Sequence, residues 1–381
     1  MPEELEEIVK QEVQAREVAD RARESLEVLS ATLSRLHEAT RLSQLREEIE
    51  EKGDSLKARL EELQERLDSV RKRKAELEDE QQNILPREER QQALLTEILD
   101  LESFDRLIRF MAQIGVEGVT ILGVLGESNR LLDREREELI KTAVNAAGDM
   151  PVIVGTSHSG TFAALALSQM AEALGADGVM VTPQAEPVPS EDRIFEYCRA
   201  IGDGIAIPMV LQDHPASTAV HMSVALISRA VAEIPRVACI KEEATPTPPK
   251  IRALRQSMKT RSVPVLTGLG ALYGEFDLQA GSSGFNTGFA FPEVLQAMVK
   301  ANSAGDSAGL RELYTRFLPL MVFEQQPRVA VRKEILKMRG IIRSSKVRHP
   351  GADLQSAVGE QLRLLLAHVL PDVDITRPLT L

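Results

Sequence analysis

Lys241 is the residue of this chain best placed to do covalent chemistry. It ends the short apolar run 237–240 and is followed by Glu242 and Glu243. An amine at the carboxyl end of a strand in a parallel α/β barrel is positioned to condense with a carbonyl carbon. Most lysines at such a place are only the solvated end of a strand. The elements around Lys241 must therefore decide whether it is a nucleophile.

Those elements alternate between short apolar runs and helical patterns from about residue 94 onward. The apolar runs predict strands at 118–122, 151–155, 178–182, 208–212, 237–241, 264–268 and 284–287. Intervening helices are predicted, for example, at 133–147, 162–174, 223–232 and 292–301. The alternation indicates an α/β fold, a (β/α)8 TIM barrel spanning residues 93–302. Its first strand is doubtful, because the one available segment, 93–99, has a helical pattern.

Two further regions flank this predicted barrel. Residues 303–381 form a helical extension with three amphipathic helices, the middle one at 328–338. Residues 1–92 are rich in charged residues and leucine, with Gly53 as their one glycine. They predict an all-α coiled coil, because apolar residues recur every seven positions. That stripe comprises Leu42, Ile49, Leu56, Leu63, Val70, Leu77 and Ile84.

A second apolar seam in the coiled coil, from Ala22 to Leu36, is out of phase with that stripe. We therefore favour a helical hairpin in which Gly53 ends the first helix and Asp54 or Ser55 caps the second. One long helix is the alternative, because the later heptads stay in phase through Gly53.

Composition limits the class of function. The net charge of −12 argues against general binding to nucleic acid, which requires a basic face. Cys198 and Cys239 make neither a disulfide framework nor a metal-binding spacing, which fits a reducing cytoplasm. No run approaches the apolar length of a membrane span. We expect a cytoplasmic protein with a small-molecule partner, no nucleic acid and no membrane.

Several segments at the predicted strand ends resemble one family. They are Gly123-Val124-Leu125-Gly126-Glu127-Ser128, residues 177–183, Pro208-Met209-Val210-Leu211-Gln212-Asp213-His214-Pro215, Lys241, and Gly268 with Gly281 and Gly284. In order and spacing they are similar to the dihydrodipicolinate synthase and N-acetylneuraminate lyase family. The resemblance covers residues from about 100 to 369 and excludes the coiled coil.

The resemblance implies a class I lyase or aldolase in which Lys241 forms a Schiff base with a pyruvate-like 2-keto acid. A protonated imine withdraws electrons from the adjacent carbon, so carbon–carbon or carbon–oxygen bonds beside it break more easily. The implied catalytic residues are Lys241, Gln212 and Asp213. The implied substrate-binding residues are Gly123, Val124, Leu125, Gly126, Glu127, His214, Gly268 and Asn286. We expect no cofactor and no metal, and a homo-oligomer in which the coiled coil sets the assembly or captures a protein partner.

The chain departs from the family pattern at three places. Val124 and Leu125 stand where the family usually has two hydroxyl residues, and Gln212 stands where it has a tyrosine that transfers protons. Gln212 does not titrate, so Asp213 or His214 is the candidate replacement, of which strand alternation lets only one face the site. Ser217 stands where dihydrodipicolinate synthase has an arginine. These differences indicate a divergent subgroup.

Other interpretations remain open at the level of sequence. The barrel can be an impaired enzyme that serves as a coiled-coil scaffold, since the tyrosine and both hydroxyls are missing. A tRNA-binding arm is disfavoured by the acidity of residues 1–92. An artificial fusion would account for the abrupt change of texture near Leu94.

Overall fold

The computed structural model describes residues 2–35, 43–83, 99–185, 190–326 and 328–381. The chain divides into two compact units, Met1–Glu97 and Ile98–Leu381. No helix in these described ranges is long and apolar enough to cross a membrane.

The first unit is a pair of packed helices, α1 (Pro2–Arg35) and α2 (Ser43–Asn83). Glu12 in α1 lies within 3.9 Å of both Arg71 and Lys74 near the end of α2, so the helices run antiparallel. The apolar stripe of α2 packs against α1, and its Leu63 and Leu77 are buried, as is Ala19 of α1.

The predicted position of the break between these helices is wrong. Gly53, Asp54 and Ser55 lie inside α2, which runs unbroken from Ser43 to Asn83. A glycine inside a helix costs about 1 kcal/mol relative to alanine. The heptads before and after Gly53 are in phase, so they keep one face apolar and outweigh that cost. Leu36, Leu42 and Ile84 lie outside the described residues.

The second unit is built on a parallel sheet of seven strands in sequential order. The strands are β1 (Val119–Ile121), β2 (Val152–Gly155), β3 (Gly178–Val181), β4 (Met209–Asp213), β5 (Val237–Glu242), β6 (Val265–Thr267) and β7 (Gly284–Phe285). All seven predicted strands are confirmed. Of the segment 93–99 predicted for a further strand, only Leu99 is described.

Helices connect these strands on the outside of the sheet. They are α3 (Leu101–Gln113), α4 (Asp133–Ala147), α5 (Thr161–Ala173), α6 (Glu191–Asp203), α7 (Pro215–Thr218), α8 (Val224–Glu233), α9 (Thr247–Ser257), α10 (Gly274–Gln279) and α11 (Pro292–Ser303). Gln296 in α11, after β7, donates to the backbone oxygen of Gly115 just before β1, at 2.8 Å. The two ends of the sheet therefore come together, and the unit is a TIM barrel with seven strands among the described residues.

The C-terminal helices are α12 (Ser307–Phe323), α13 (Val329–Met338) and α14 (Ser356–Val369). They bury an apolar cluster of their own against α11, with Phe291, Phe317 and Leu362 fully buried. The start of α13 lies at the carboxyl end of the strands, where Lys333 pairs with Glu127 from the turn after β1. The extension thus contributes side chains to the face where barrels of this kind bind their ligands.

Candidate active site

The pairing of β4 with β5 places Gln212 directly beside Lys241. Lys241 is 8 % exposed and Gln212 is 4 % exposed, although both carry polar ends. Side chains on neighbouring parallel strands at the same register point to the same face of the sheet. These two candidate residues are therefore brought together by the backbone alone.

Glu243 completes this group. It lies two residues after Lys241, so its side chain points to the same face, and its Oε2 lies 3.5 Å from Nζ of Lys241. Gln212 Nε2 donates to the same Oε2 at 2.6 Å. The other oxygen, Oε1, accepts from the backbone N–H of Leu269 at 2.9 Å. Glu243 was not among the predicted site residues, although a spacing of two from Lys241 along a strand is the signal of a shared face.

The charge state of Glu243 follows from these contacts. Burial by itself would raise the pKa of this carboxyl group, but the nearby Lys241 and His214 and the hydrogen bonds from Gln212 and Leu269 outweigh it. The net effect lowers the pKa of Glu243. The buried group is therefore an ionised carboxylate in contact with the amine of Lys241.

Gly268 makes room for that carboxylate. A Cβ atom added at Gly268 would lie 1.9 Å from Oε1 of Glu243, a distance that no side chain tolerates. The next residue, Leu269, has a φ of 52° and presents its N–H to the carboxylate. Gly268, predicted as a substrate-binding residue, lies in this structure against Glu243.

His214 and Asp213 lie on opposite sides of the strand end. His214 is two residues after Gln212, and Lys241, Glu243 and Arg328 are near enough to influence its pKa, which burial lowers. Its Nδ1 hydrogen-bonds the hydroxyl of Ser217. Asp213 instead points toward α9 and pairs with Lys250. Of the two candidates proposed to replace the missing tyrosine, His214 is the one on the Lys241 face.

Asp213 belongs to a second buried cluster, on the helix-facing side of the strands. Lys250 Nζ contacts Asp213, donates to the backbone oxygen of Met222 at 2.8 Å, and lies 3.8 Å from Oε2 of Glu242. Two carboxyl groups thus share one ammonium group. Oε2 of Glu242 and Oδ1 of Asp213 have no hydrogen-bond partner among the described residues.

In the cluster of Asp213, Glu242 and Lys250, one carboxyl group is protonated. Burial, together with the nearby charge of Asp213, raises the pKa of Glu242 to about 8. Burial also raises the pKa of Asp213, although Lys250 opposes this. Because one ammonium group cannot neutralise two buried carboxylates, Glu242 stays protonated near neutral pH.

The turn after β1 presents backbone donors to the same end of the barrel. Residues 124–126 form one turn of 3₁₀ helix, in which the N–H groups of Gly126 and Glu127 bond back to Gly123 and Val124. The N–H groups of Val124 and Leu125 have no hydrogen bond to any described residue. Such a turn presents its first N–H groups to an anion.

The side chain of Glu127 serves the structure of this turn. Glu127 has a φ of 54°, and its carboxylate accepts from Lys333, from Arg130 at 3.1 Å, and from the backbone N–H of Arg348 at 2.8 Å. These contacts tie the turn to the C-terminal extension. The carboxylate of Glu127 is therefore occupied with residues other than Lys241.

Asn286, the last of the predicted substrate-binding residues, and the loop residue His158 lie apart from this group. Asn286 is half-buried just after β7, and its N–H donates to the backbone oxygen of Thr267 at 2.9 Å. His158 is exposed, and its Nδ1 accepts from the N–H of Gly160 at 2.9 Å. Among the described residues, neither side chain forms a hydrogen bond or ion pair with Lys241 or Glu243.

A surface depression of about 750 Å³ lies elsewhere, along α12. Its lining residues are Ser307, Ala308, Arg311, Glu312, Thr315 and Arg316. They all come from one helix and include no strand end. The depression gathers no catalytic group, so the candidate site remains the one around Lys241.

Comparison with known proteins identifies relatives of the second unit. Residues 95–369 match the family model described as the dihydrodipicolinate synthetase family. The chain is 33 % identical over 279 residues to an L-2-keto-3-deoxyarabonate dehydratase of Azospirillum brasilense, covering 72 % of this chain and 90 % of that protein. It is 31 % identical over 255 residues to a 4-hydroxy-tetrahydrodipicolinate synthase of Moorella thermoacetica, covering 64 % and 83 %.

A solved structure agrees with these sequence relatives. A dihydrodipicolinate synthase from Rhodopseudomonas palustris superposes with a TM-score of 0.67 at 36 % identity. The match covers 71 % of this chain and 91 % of that one. The matching part is the barrel with its C-terminal helices.

The buried proton on Glu242 predicts a dependence of stability on pH. The folded protein keeps this proton up to pH about 8, whereas an unfolded chain releases it near the ordinary value of 4.5. The free energy of unfolding therefore falls as the pH rises between these values. Glu242→Gln removes this dependence. The stability of this variant relative to the unchanged protein should therefore increase by about 3–4 kcal/mol from pH 5 to pH 8.

Urea unfolding at both pH values measures this difference. Glu117→Gln, at an exposed glutamate, is the matched control and should show no such change. A Glu242→Gln variant whose relative stability is equal at both pH values would contradict a protonated Glu242.

Proposed function

The chain belongs to the dihydrodipicolinate synthetase family, and from that premise we propose that it is a Schiff-base lyase that dehydrates a 2-keto-3-deoxy sugar acid. The relatives are dehydratases and synthases of lyase type. The observation that carries the proposal is the buried Lys241–Glu243–Gln212 group at the end of β4 and β5. It combines an amine with an ionised carboxylate that is held by two hydrogen bonds.

Lys241 is the nucleophile of the proposed reaction. Its neutral amine adds to the C2 carbonyl of the substrate, water leaves, and a protonated imine forms. Glu243, an ionised carboxylate 3.5 Å away, takes up the proton that the ammonium form must lose. The N–H groups of Val124 and Leu125 bind the C1 carboxylate at the start of the 3₁₀ turn.

Dehydration then follows from the imine. A base removes a proton from C3, the electron pair of that C–H bond forms a C2–C3 double bond, and the π electrons of the imine move to its nitrogen to give an enamine. The enamine expels the hydroxyl group at C4, which takes a proton and leaves as water. Hydrolysis of the remaining imine frees Lys241, so the net change is the loss of one water molecule.

Glu243 and His214 are the groups able to move these protons, since Gln212 does not titrate. Gln212 is a positioning residue, because its Nε2 holds Oε2 of Glu243 at 2.6 Å. In this proposal the carboxylate takes over the proton transfer of the tyrosine that Gln212 replaces. The aldolase alternative needs the same imine and differs only in the bond broken beside it.

Trapping of the imine tests the nucleophile. Incubation with pyruvate and sodium borohydride should reduce the imine and leave a stable adduct on Lys241, located by peptide mass spectrometry. Lys241→Met should abolish the adduct. Lys300→Met, at an exposed lysine of α11, is the control and should retain it. An adduct mapped to another lysine, or none with any 2-keto acid, refutes the proposal.

Removal of the carboxylate of Glu243 tests its role as the base. Glu243→Gln keeps the shape of the side chain but loses the base, so we expect kcat for dehydration to fall by about 10²–10⁴-fold. Borohydride trapping, given longer incubation, should still modify Lys241. Glu242→Gln, whose carboxyl group faces α9, should keep kcat within a few-fold. Equal rates for the Glu243→Gln variant and the unchanged protein would exclude Glu243 as the base.

A further inference from the structure

Arg332, in α13, is a buried cation at the mouth of the barrel that the proposed mechanism leaves unused. Its side chain is 10 % exposed, and its Nε donates to Oε2 of Glu324 at 2.7 Å. Glu324 is fully buried, and its other oxygen accepts from the N–H of Ala290 at 3.1 Å. This pair fixes the guanidinium group from one side only. Its Nη1 and Nη2 donate to no other described residue.

The free edge of the guanidinium points toward the loops that follow β6 and β7. A Cβ atom added at Gly270 would lie 2.9 Å from Nη2 of Arg332. One added at Gly288 would lie 3.7 Å from its Nε and 2.6 Å from Cδ1 of Leu125. Arg332 thus lies among three loops, all of them at the carboxyl end of the strands.

The same loop connects Arg332 to the Lys241 site. Gly268 contacts the carboxylate of Glu243, and Gly270, two residues later, contacts Arg332. Two residues span at most about 7 Å. A substrate bonded through C2 to Lys241 has to extend past Glu243 and along this loop to contact Arg332.

Several hydrogen bonds fix the conformation of the loop after β6. Leu269, Gly270 and Ala271 all have positive φ, between 52° and 65°, a conformation that costs energy for leucine and alanine. Leu269 is held by Glu243 through its N–H and by Gln325 through its carbonyl oxygen at 3.1 Å. The N–H of Gly270 donates to the hydroxyl of Thr287 at 2.7 Å. Glu324 and Gln325, which hold Arg332 and this loop, are adjacent in sequence.

A second arginine lies one helical turn before Arg332. The N–H of Arg332 donates to the carbonyl oxygen of Arg328, and Arg328 is close enough to His214 to contribute to lowering its pKa. Arg328 is exposed and pairs with no described carboxylate. Two cations therefore lie over the mouth, and one of them, Arg332, is paired with Glu324.

We propose that Arg332 binds a second carboxylate, at the far end of the substrate from the keto group, with Arg328 adding to the attraction. This inference rests on the Schiff-base function proposed above and narrows its substrate to a 2-keto acid with two acidic ends. The C1 carboxylate is served by the free N–H groups of Val124 and Leu125, so Arg332 is left for the other end. The planar edge formed by Nη1 and Nη2 matches the two oxygens of a carboxylate.

The experiment compares two 2-keto acids of equal length, 2-oxoglutarate and 2-oxopentanoate, which differ in the second carboxylate. Pyruvate serves as the shortest reference. The readout is the concentration of each acid that half-saturates borohydride trapping on Lys241. A charged hydrogen bond contributes about 1.5–3 kcal/mol, so 2-oxoglutarate should need roughly 10–100-fold less than 2-oxopentanoate.

The variant Arg332→Met combined with Glu324→Gln removes the cation without leaving a buried charge unpaired. It should bind both five-carbon acids equally and pyruvate within about 3-fold of the unchanged protein. Trapping of pyruvate by the double variant also shows that it is folded. Arg328→Met should reduce the preference for the diacid only partly, because Arg328 is exposed.

Three results would overturn the inference. The first is that both acids half-saturate trapping at the same concentration in the unchanged protein. The second is that the double variant still prefers 2-oxoglutarate. The third is that the double variant loses affinity for pyruvate as much as for 2-oxoglutarate, which would mean that Arg332 binds the C1 carboxylate. Calorimetric titration with 2-oxoglutarate distinguishes a failure of the Arg332 site from a failure of the Schiff-base function. If no acid is trapped but 2-oxoglutarate binds and the double variant loses that binding, the Schiff-base function fails and the Arg332 site stands. If neither signal is seen, both fail.

Discussion

The carboxylate of Glu243 is the contact on which the rest of the site depends. It touches the amine of Lys241, accepts from Gln212, and fixes the loop after β6 through the N–H of Leu269. A buried carboxylate is costly unless it is paired and hydrogen-bonded, and here each oxygen has a partner. Gly268 is required because the carboxylate lies where a side chain would be. One ion pair thus sets the positions of the nucleophile, its neighbour and the loop that leads to Arg332.

Strand alternation separates two charge clusters that are adjacent in sequence. Gln212, Lys241 and Glu243 point to one side of the sheet, while Asp213 and Glu242 point to α9 and Lys250. On the first side the amine keeps the pKa of Glu243 low, and on the second burial raises the pKa of Glu242 to about 8. The two neighbouring glutamates therefore differ in protonation near neutral pH, since Glu243 is ionised and Glu242 is neutral. One is suited to proton transfer and the other ties a strand to a helix.

The sequence predicted the barrel well, because each strand is an apolar run bounded by polar or glycine-containing segments. Lys241 and Gln212 were found because strand ends face the site. Glu243 was missed as a participant, although its spacing from Lys241 is the signal of a shared face. The roles of Glu127 and Lys333 were not predictable, since their partners lie as many as 221 residues away and local patterns do not encode such contacts. Gly53 was misjudged because glycine is a weak helix breaker when the heptads on both sides agree.

A crystal structure of the protein soaked with pyruvate would show directly whether Lys241 forms an imine with a 2-keto acid. We expect continuous density from Nζ of Lys241 to C2 of the keto acid, with the carboxylate of Glu243 beside the new bond. We also expect the C1 carboxylate at the N–H groups of Val124 and Leu125. Pyruvate bound elsewhere, or an unmodified Lys241 whose amine points to bulk solvent, would contradict the assignment of Lys241 as the nucleophile.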